Sequence, residues 1–486
     1  MLFNSYIFVL AFLPVFLAFF EFARFAGHRS LSYGDACKWL IVFASLVFYV
    51  PFGLRNCLVL IGSVVLNAAL AKWQSERTTS NHAIIWIVVL INVVALLFCK
   101  FNGVFFPIAV SFYTFSQISY QVDLYRGEIE EFKLPDYLAY ILFFPKLLQG
   151  PLMGYQDFER ELEKSVSAHI DHEIILRALF LFSMGLFKKV ILADTFGKAV
   201  EFGYENVAGL GSLEAILIVV FYSFQLYFDF SGYCDMASAI CMMMGFELPV
   251  NFNSPYKAVN ILDFWKRWHI TLTKFFTKYV YIPLGGNRKG MARMYLNLMI
   301  VFLLSGLWHG NGWNFIVWGA MHGALYAVTR AIQGGKKSGT DKAENNESGF
   351  YRYIVKPIKI LLTFTYVTLA WVFFRAPRIS DAITLITRIF TGGHKRIASQ
   401  LAADFQLDEI WYVIKVTPFA NMPFGWEICL WMFLIVAGVM IFFLPNAMTI
   451  AGKAKIGWKT TIATAILMVW CILSFAGVST FLYMNF

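Results

Sequence analysis

The chain has 486 residues, of which 59% are hydrophobic and only 14% are charged. Soluble domains contain about 45–50% apolar and about 25% charged residues, so a water-soluble fold, a disordered chain and a disulfide scaffold are all excluded. The formal net charge is +10. The basic residues stand in short loops between apolar runs, where they set orientation in a bilayer rather than bind nucleic acid. The composition predicts an integral membrane protein and leaves pore, transporter and enzyme open.

Apolar runs long enough to cross a bilayer core of about 30 Å recur along the whole chain. They predict a single all-α polytopic domain over residues 1–486, with about 11 spanning helices plus re-entrant and interfacial helices. The alternation expected of a β-barrel is missing from the sequence. The predicted helical runs are 5–25, 35–52, 54–72, 83–101, 103–120, 137–153, 174–196, 212–231, 294–308, 313–332, 354–374, 426–447 and 460–480.

Two runs are irregular. The run 137–155 contains Pro145, Lys146, Gln149 and Pro151, which do not suit a lipid-facing helix and predict a broken or re-entrant segment that lines a cavity. The run 263–281 is amphipathic and carries several basic residues, so it predicts an interfacial or half-inserted helix rather than a span.

Charge bias in the loops predicts the orientation of the later spans. The hydrophilic stretch 333–349 is flanked by basic residues and is expected to be a flexible cytoplasmic loop. Residues 377–425 are then extracytoplasmic, and the last span brings the C-terminus to the outer face.

Histidines within apolar stretches are the candidate functional residues, because ionisable groups in a membrane are costly. His269, His309 and His322 stand in such stretches. His309 ends a predicted span and is followed by Gly-Asn-Gly, which turns the chain. An imidazole, with an ordinary pKa near 6.5, suits general-base chemistry. For each histidine the alternative is a buried structural role. A metal site is not supported, because HExxH and CxxC spacings are missing.

Other polar groups also fall within or beside apolar runs. Gln225, Asp229 and Asp235 lie close together in the sequence, and the two carboxylates are expected to pair with lysine or arginine inside the protein. The turn 281–290, which includes Asn287, is basic and suits either an acidic donor or lipid headgroups.

Several motifs together resemble the membrane-bound O-acyltransferase superfamily, in particular its bacterial branch of alginate O-acetylation, peptidoglycan O-acetylation and teichoic-acid D-alanylation proteins. The resemblance is densest in a motif-bearing core, 220–325, and implies a ring of helices around a central tunnel. The motifs are FDFSGYCDMASA (228–239), NFNSPY (251–256), DFWKRWHITLTKFF (263–276), YVYIPLGGNR (279–288) and SGLWHGNGWNFIVWGAMHG (305–323).

The resemblance also implies roles for individual residues. His309 matches the essential histidine and His269 matches its partner. The end of the chain, FLYMNF (481–486), resembles an FxYxxF motif whose tyrosine, here Tyr483, carries the acyl group; an ordinary interfacial aromatic belt is the alternative. Lys266 replaces the usual arginine, and 276–279 lack the usual Arg-Asp pair. Supporting or tunnel positions are expected for His322, Trp308, Arg267, Lys266, Asp229, Gln225, Lys146, Gln149 and Asn287.

The expected activity is transfer of an acyl group, acetyl from acetyl-CoA, across the bacterial inner membrane for O-acetylation of an exported polysaccharide such as alginate. A tightly bound cofactor is not expected. The expected partners are membrane lipid, the polysaccharide, and a periplasmic acetyltransferase docked on 377–425. Alternatives are O-acetylation of peptidoglycan, D-alanyl transfer to teichoic acid, a eukaryotic-type lipid or protein acyltransferase, and a transporter or flippase without chemistry.

Overall fold

A computed structural model describes residues 1–27, 33–76, 82–101, 103, 105–168, 170–334, 349–407, 411, 415–418, 422, 424–477 and 480–482. All regular structure in these residues is helical, and they contain no strand. Ten of the described helices are long and apolar enough to cross a membrane. The predicted all-α polytopic fold class is therefore confirmed.

The helices are numbered here in chain order. The first nine are Leu13–Gly27 (α1), Tyr33–Tyr49 (α2), Leu54–Ser75 (α3), His82–Phe101 (α4), Val110–Tyr125 (α5), Leu134–Leu142 (α6), Phe144–Leu147 (α7), Tyr155–Ser167 (α8) and His172–Leu186 (α9). The next six are Asp194–Glu205 (α10), Ser212–Met243 (α11), Ile261–Arg267 (α12), Ile270–Phe276 (α13), Met291–His309 (α14) and Trp313–Gly334 (α15). The last six are Lys356–Arg375 (α16), Ile379–Thr391 (α17), Ser399–Ala403 (α18), Gly425–Phe442 (α19), Ala447–Lys453 (α20) and Trp458–Leu473 (α21). The π-helical segments are Phe8–Phe12, Phe187–Ala193, Thr277–Tyr281 and Tyr351–Val355.

The candidate spans agree with most of the predicted runs. Three predicted runs, 103–120, 137–153 and 174–196, are not among them. The span on α11 continues well past its predicted end at 231. The spans are Phe8–Phe25, Asp35–Phe52, Leu54–Ser75, Ala83–Phe101, Ser212–Met243, Met291–His309, Trp313–Gln333, Tyr351–Arg375, Gly425–Phe442 and Trp458–Gly477.

The run around Lys146 is broken, as its prolines predict. α6 ends at Leu142, Phe143 leaves the helical region with ψ 101°, and α7 lasts only four residues. Pro145 stands in the first turn of α7, where the missing N–H costs nothing.

The prediction of one continuous helix over 263–281 is wrong. Helix α12 ends at Arg267, and α13 begins only after His269. An extended segment bonds to the break: the N–H of Asn253 donates to the carbonyl of Arg267 at 2.9 Å, and the N–H of Ile270 donates to the carbonyl of Asn251 at 3.0 Å. These backbone bonds replace the helical ones that the amphipathic pattern predicts.

The chain divides into two compact units. Unit 1 comprises residues Met1–Lys189, Phe230–Val250 and Ala447–Phe486, and unit 2 comprises Val190–Asp229 and Asn251–Asn446. Most of the predicted cytoplasmic loop 333–349 and of the tail 481–486 lies outside the described residues.

Candidate active site

A close helical hairpin positions His309. Helix α14 ends at this histidine, and Gly310 continues in extended backbone. The helices of the hairpin lie backbone against backbone, because a Cβ on Gly306 would stand 2.4 Å from the carbonyl oxygen of Phe315. On α15, a Cβ on Gly319 would likewise stand 2.5 Å from a carbonyl oxygen of α14. The hairpin therefore fixes the end of α14 and the histidine on it.

Aromatic rings surround His309, which is only 4% exposed. The ring of Phe374 lies edge-on at 4.8 Å between centroids, Trp318 lies edge-on at 5.2 Å, and the adjacent Trp308 lies at 4.4 Å. The last turn of a helix stabilises the positive charge that an imidazole gains with a proton. His309 is therefore placed to accept a proton in a dry environment.

His269 stands at the break between α12 and α13. Its backbone is left-handed, with φ 43° and ψ 53°. A residue with a side chain is strained there by roughly 1–3 kcal/mol, and such strain clusters at functional sites. The side chain is buried, and its Nδ1 lies 3.1 Å from Oδ1 of Asn251.

The Asn251 side chain determines the tautomer of His269. The same Oδ1 accepts hydrogen bonds from the backbone N–H of Thr271 at 3.2 Å and from its hydroxyl at 2.9 Å. Because a backbone N–H only donates, this atom is the amide oxygen, so Nδ1 of His269 carries the ring proton and Nε2 is an acceptor. Burial lowers the pKa of His269 to about 3, and the ring is therefore neutral near neutral pH.

His322 lies on α15 and is fully buried. Its ring stands 5.1 Å from Trp265 and 5.1 Å from Trp318. Neither ring nitrogen has a hydrogen-bond partner among the described residues. Its observed neighbours are therefore aromatic faces and edges.

One set of aromatic side chains connects the three histidines within unit 2. Trp318 contacts both His309 and His322. Trp371 stacks on Trp318 at 5.5 Å and contacts Trp268, the residue before the strained histidine, at 5.1 Å. The sequence-predicted histidines are thus brought into one region. The aromatic cluster consists of Trp265, Trp268, Trp318, Trp371 and Phe374.

The charged and polar residues of the neighbouring motifs lie nearer the surface. Lys266 is exposed, and Arg267 pairs with Asp263 at 2.7 Å on the same helix. Asn287 is exposed and accepts a hydrogen bond from the hydroxyl of Tyr281. These contacts hold local turns of the chain.

The polar residues of α11 divide between the two units. In unit 2, Asp229 is buried, and Gln225 packs beside Gly197, where an added Cβ would stand 2.8 Å from its Nε2. In unit 1, Asp235 forms an ion pair with Lys188 at 2.6 Å. The expectation that a carboxylate of this motif pairs with a lysine is confirmed for Asp235.

Lys146 and Gln149 are buried in unit 1. The Nζ of Lys146 lies 3.4 Å from the ring centroid of Tyr140. Neither amide atom of Gln149 has a hydrogen-bond partner in the described part of the chain.

The predicted acyl acceptor, Tyr483, lies outside the described residues.

Sequence reasoning missed the residues that shape the site. Asn251 belongs to the NFNSPY motif, but nothing in its spacing predicts a contact with a histidine 18 residues later. Phe374 and Trp371 are apolar residues of a span and carry no chemical signal of their own.

The described residues contain no group of three or more potential metal ligands.

These features define a polytopic helical membrane protein with a buried, neutral histidine next to an aromatic cluster and a second histidine at a helix end. The model of the membrane-bound O-acyltransferase family matches residues 56–374. The chain therefore belongs to the membrane-bound O-acyltransferase family and is an acyltransferase enzyme.

Curated relatives share most of the chain. A protein of Helicobacter pylori named "Peptidoglycan O-acetyltransferase" is 34% identical over 100% of this chain and 98% of its own length. A Pseudomonas aeruginosa protein named "Probable alginate O-acetylase AlgI" is 32% identical over 81% of this chain and 75% of its own. A "Teichoic acid D-alanyltransferase" of Lacticaseibacillus rhamnosus is 25% identical over 71% and 89%.

Proposed function

We propose that this chain takes an acetyl group from acetyl-CoA at the cytoplasmic side of a bacterial inner membrane and passes it to an exported cell-surface polymer. The observation that carries the proposal is the position of His309 at the end of α14, packed against the aromatic cluster. The relatives' names support the polymer class, since all three act on cell-surface polymers.

His309 is the general base. It accepts the proton of an attacking hydroxyl, whose oxygen forms a C–O bond with the acetyl carbonyl carbon. The C–S bond of the thioester breaks, and the departing coenzyme sulfur takes the proton back from His309. His269 stays unprotonated, because burial lowers its pKa to about 3, and its Nε2 accepts a hydrogen bond that orients a reacting group.

Tyr483 is the proposed first acceptor. A phenol oxygen forms an ester with an acetyl group. A hydroxyl of the polymer then attacks the ester carbonyl carbon, the bond between that carbon and the phenol oxygen breaks, and the phenol oxygen takes up the proton that the polymer hydroxyl loses. The position of Tyr483 in FLYMNF supports this role.

The segment 377–425 is proposed to lie on the outer face and to dock an extracytoplasmic transferase. Helix α17 supports this, because it buries Leu385 and leaves Ile383 and Phe390 exposed, the latter by 81%. An amphipathic helix with apolar groups on its open face suits a protein partner at the membrane surface. The C-terminal tail is proposed to lie on the same side.

Peptidoglycan is proposed as the leading acceptor, ahead of alginate. The peptidoglycan relative aligns with the whole chain, whereas the alginate relative aligns with 81% of it. Mild alkali releases ester-linked acetate, so a deletion strain should lose acetate from purified peptidoglycan and regain it on complementation. Loss from exopolysaccharide, or loss of D-alanine from teichoic acid, would instead identify the other acceptors.

The enzymatic role is tested by replacing the base. His309→Ala should abolish donor consumption and ester formation while leaving membrane insertion intact, because no other group in the proposal takes the proton. His172→Ala is the matched control, since that histidine is exposed at the start of α9. Full transfer by His309→Ala would reject the proposal, and polymer export without donor consumption would indicate a flippase.

A further inference from the structure

Two consecutive lysines are buried within unit 1. Lys188 and Lys189 belong to the π-helical turn Phe187–Ala193, and π-helical turns are frequent at functional sites. α11 approaches this turn closely, because a Cβ on Gly232 would stand 3.3 Å from the backbone nitrogen of Lys189. Burying an amine in a membrane protein is costly unless it has a partner.

The two lysines have different partners. Lys188 forms its ion pair with Asp235 on α11. The Nζ of Lys189 donates a hydrogen bond to the carbonyl oxygen of Thr480 at 3.1 Å and lies 4.7 Å from the ring centroid of Phe481. Lys189 thus reaches a segment 291 residues further along the chain.

Phe481 is itself fully buried. The ring of Tyr233 meets it edge-on at 5.1 Å, and the Tyr233 hydroxyl donates to the carbonyl oxygen of Pro145 at 3.3 Å. Phe3 stacks on the same tyrosine ring at 4.8 Å. The Lys189 ammonium and the Tyr233 ring therefore hold Thr480 and Phe481.

We infer that Lys189, Tyr233 and Phe481 form a tail seat that anchors residues 480–482 and so positions Tyr483 for acyl transfer. This inference rests on the proposed function of Tyr483. Lys189 and Tyr233 are positioning residues, because they hold the tail and touch no reacting atom. The seat also gives a structural role to the FSGYCD motif, whose Gly232 permits the close approach and whose Tyr233 forms the wall.

Carboxypeptidase trimming of the purified full-length protein, followed by intact-mass measurement, tests the seat. Wild-type protein should be trimmed no further than residue 482, whereas Lys189→Met and Phe481→Ala should be trimmed past residue 480. Lys189→Arg keeps the donor and the charge and should behave as wild type. The double variant Lys188→Met/Asp235→Asn is the matched control, because it removes the neighbouring ion pair and leaves the tail contacts.

The acyl adduct on Tyr483 provides a second readout. With acetyl-CoA supplied, Lys189→Met should carry at least about tenfold less adduct than wild type, in keeping with the loss of a charged hydrogen bond. Trimming equal to wild type would overturn the seat, and increased trimming with an unchanged adduct would overturn its positioning role. If wild-type protein carries no adduct, the acyl role of Tyr483 fails, whereas trimming still decides whether the seat exists.

Discussion

The chemical state of His269 depends on a single amide oxygen. Asn251 receives three donors on its Oδ1, and one of them is the histidine ring. The sequence identifies His269 as a candidate, but its tautomer follows only from the bond to Asn251. An isolated histidine can carry its proton on either nitrogen, so the neighbour decides which nitrogen is left as an acceptor.

Asn251→Ala should slow acyl transfer by about 10- to 100-fold, the range that corresponds to losing a buried hydrogen bond of about 1–3 kcal/mol. The measurement is the transfer rate from acetyl-CoA across a range of pH. The pH profile should also change shape, because the His269 ring is then free to change tautomer and protonation.

Asn260→Ala is the control for this prediction. The Asn260 side chain accepts from the N–H of Asp263 at 2.9 Å and caps α12. Its loss should lower stability by about 1 kcal/mol and leave the shape of the pH profile unchanged. If Asn251→Ala and Asn260→Ala change the pH profile of transfer equally, Asn251 acts only through the stability of the fold.

At the scale of elements, apolar periodicity predicts helices well and their interruptions poorly. The break around Lys146 is predictable because its prolines are visible in the sequence. The break at His269 is not, because FWKRWHITL contains neither glycine nor proline. There, hydrogen bonds to the extended segment at Asn251 and Asn253 override the local helical preference.

Gly306→Ala should destabilise the α14–α15 hairpin by about 1–3 kcal/mol, because the added methyl would meet backbone that cannot move aside easily. Transfer should fall as well, since the hairpin holds His309. Thermal unfolding in detergent and the transfer rate are the measurements.

Gly438→Ala on α19 is the matched comparison, because nothing lies within 4 Å of its added Cβ. Alanine favours a helix over glycine by about 1 kcal/mol, so this variant should be neutral or slightly more stable. Similar losses of thermal stability in Gly306→Ala and Gly438→Ala would argue against a tight α14–α15 hairpin.

At the scale of the whole molecule, charge and hydropathy carry the strongest sequence signal. The ten candidate spans agree with predicted runs because a bilayer imposes a length and a composition on each helix separately. The positive-inside bias predicts an orientation, with 377–425 outside and the basic stretch 452–459 inside.

Accessibility of single cysteines tests this orientation. In a background with the seven native cysteines replaced, His394→Cys should react with a membrane-impermeant maleimide in intact spheroplasts. Lys455→Cys, which lies between α20 and α21, should react only after permeabilisation. Both native residues are exposed, so access across the membrane rather than burial decides the result. The reverse labelling pattern would invert the proposed topology.

The sequence alone determined the membrane class, most of the spans and the three histidines, because hydropathy, periodicity and residue chemistry are local properties. The tertiary structure decided the His269 tautomer, the break beside it, the aromatic cluster and the seat of residues 480–482. Each of these depends on contacts between distant positions, 18 residues apart for Asn251 and His269 and 291 apart for Lys189 and Thr480. Such contacts form only when the chain packs, and the spacing of residues along the sequence does not specify them.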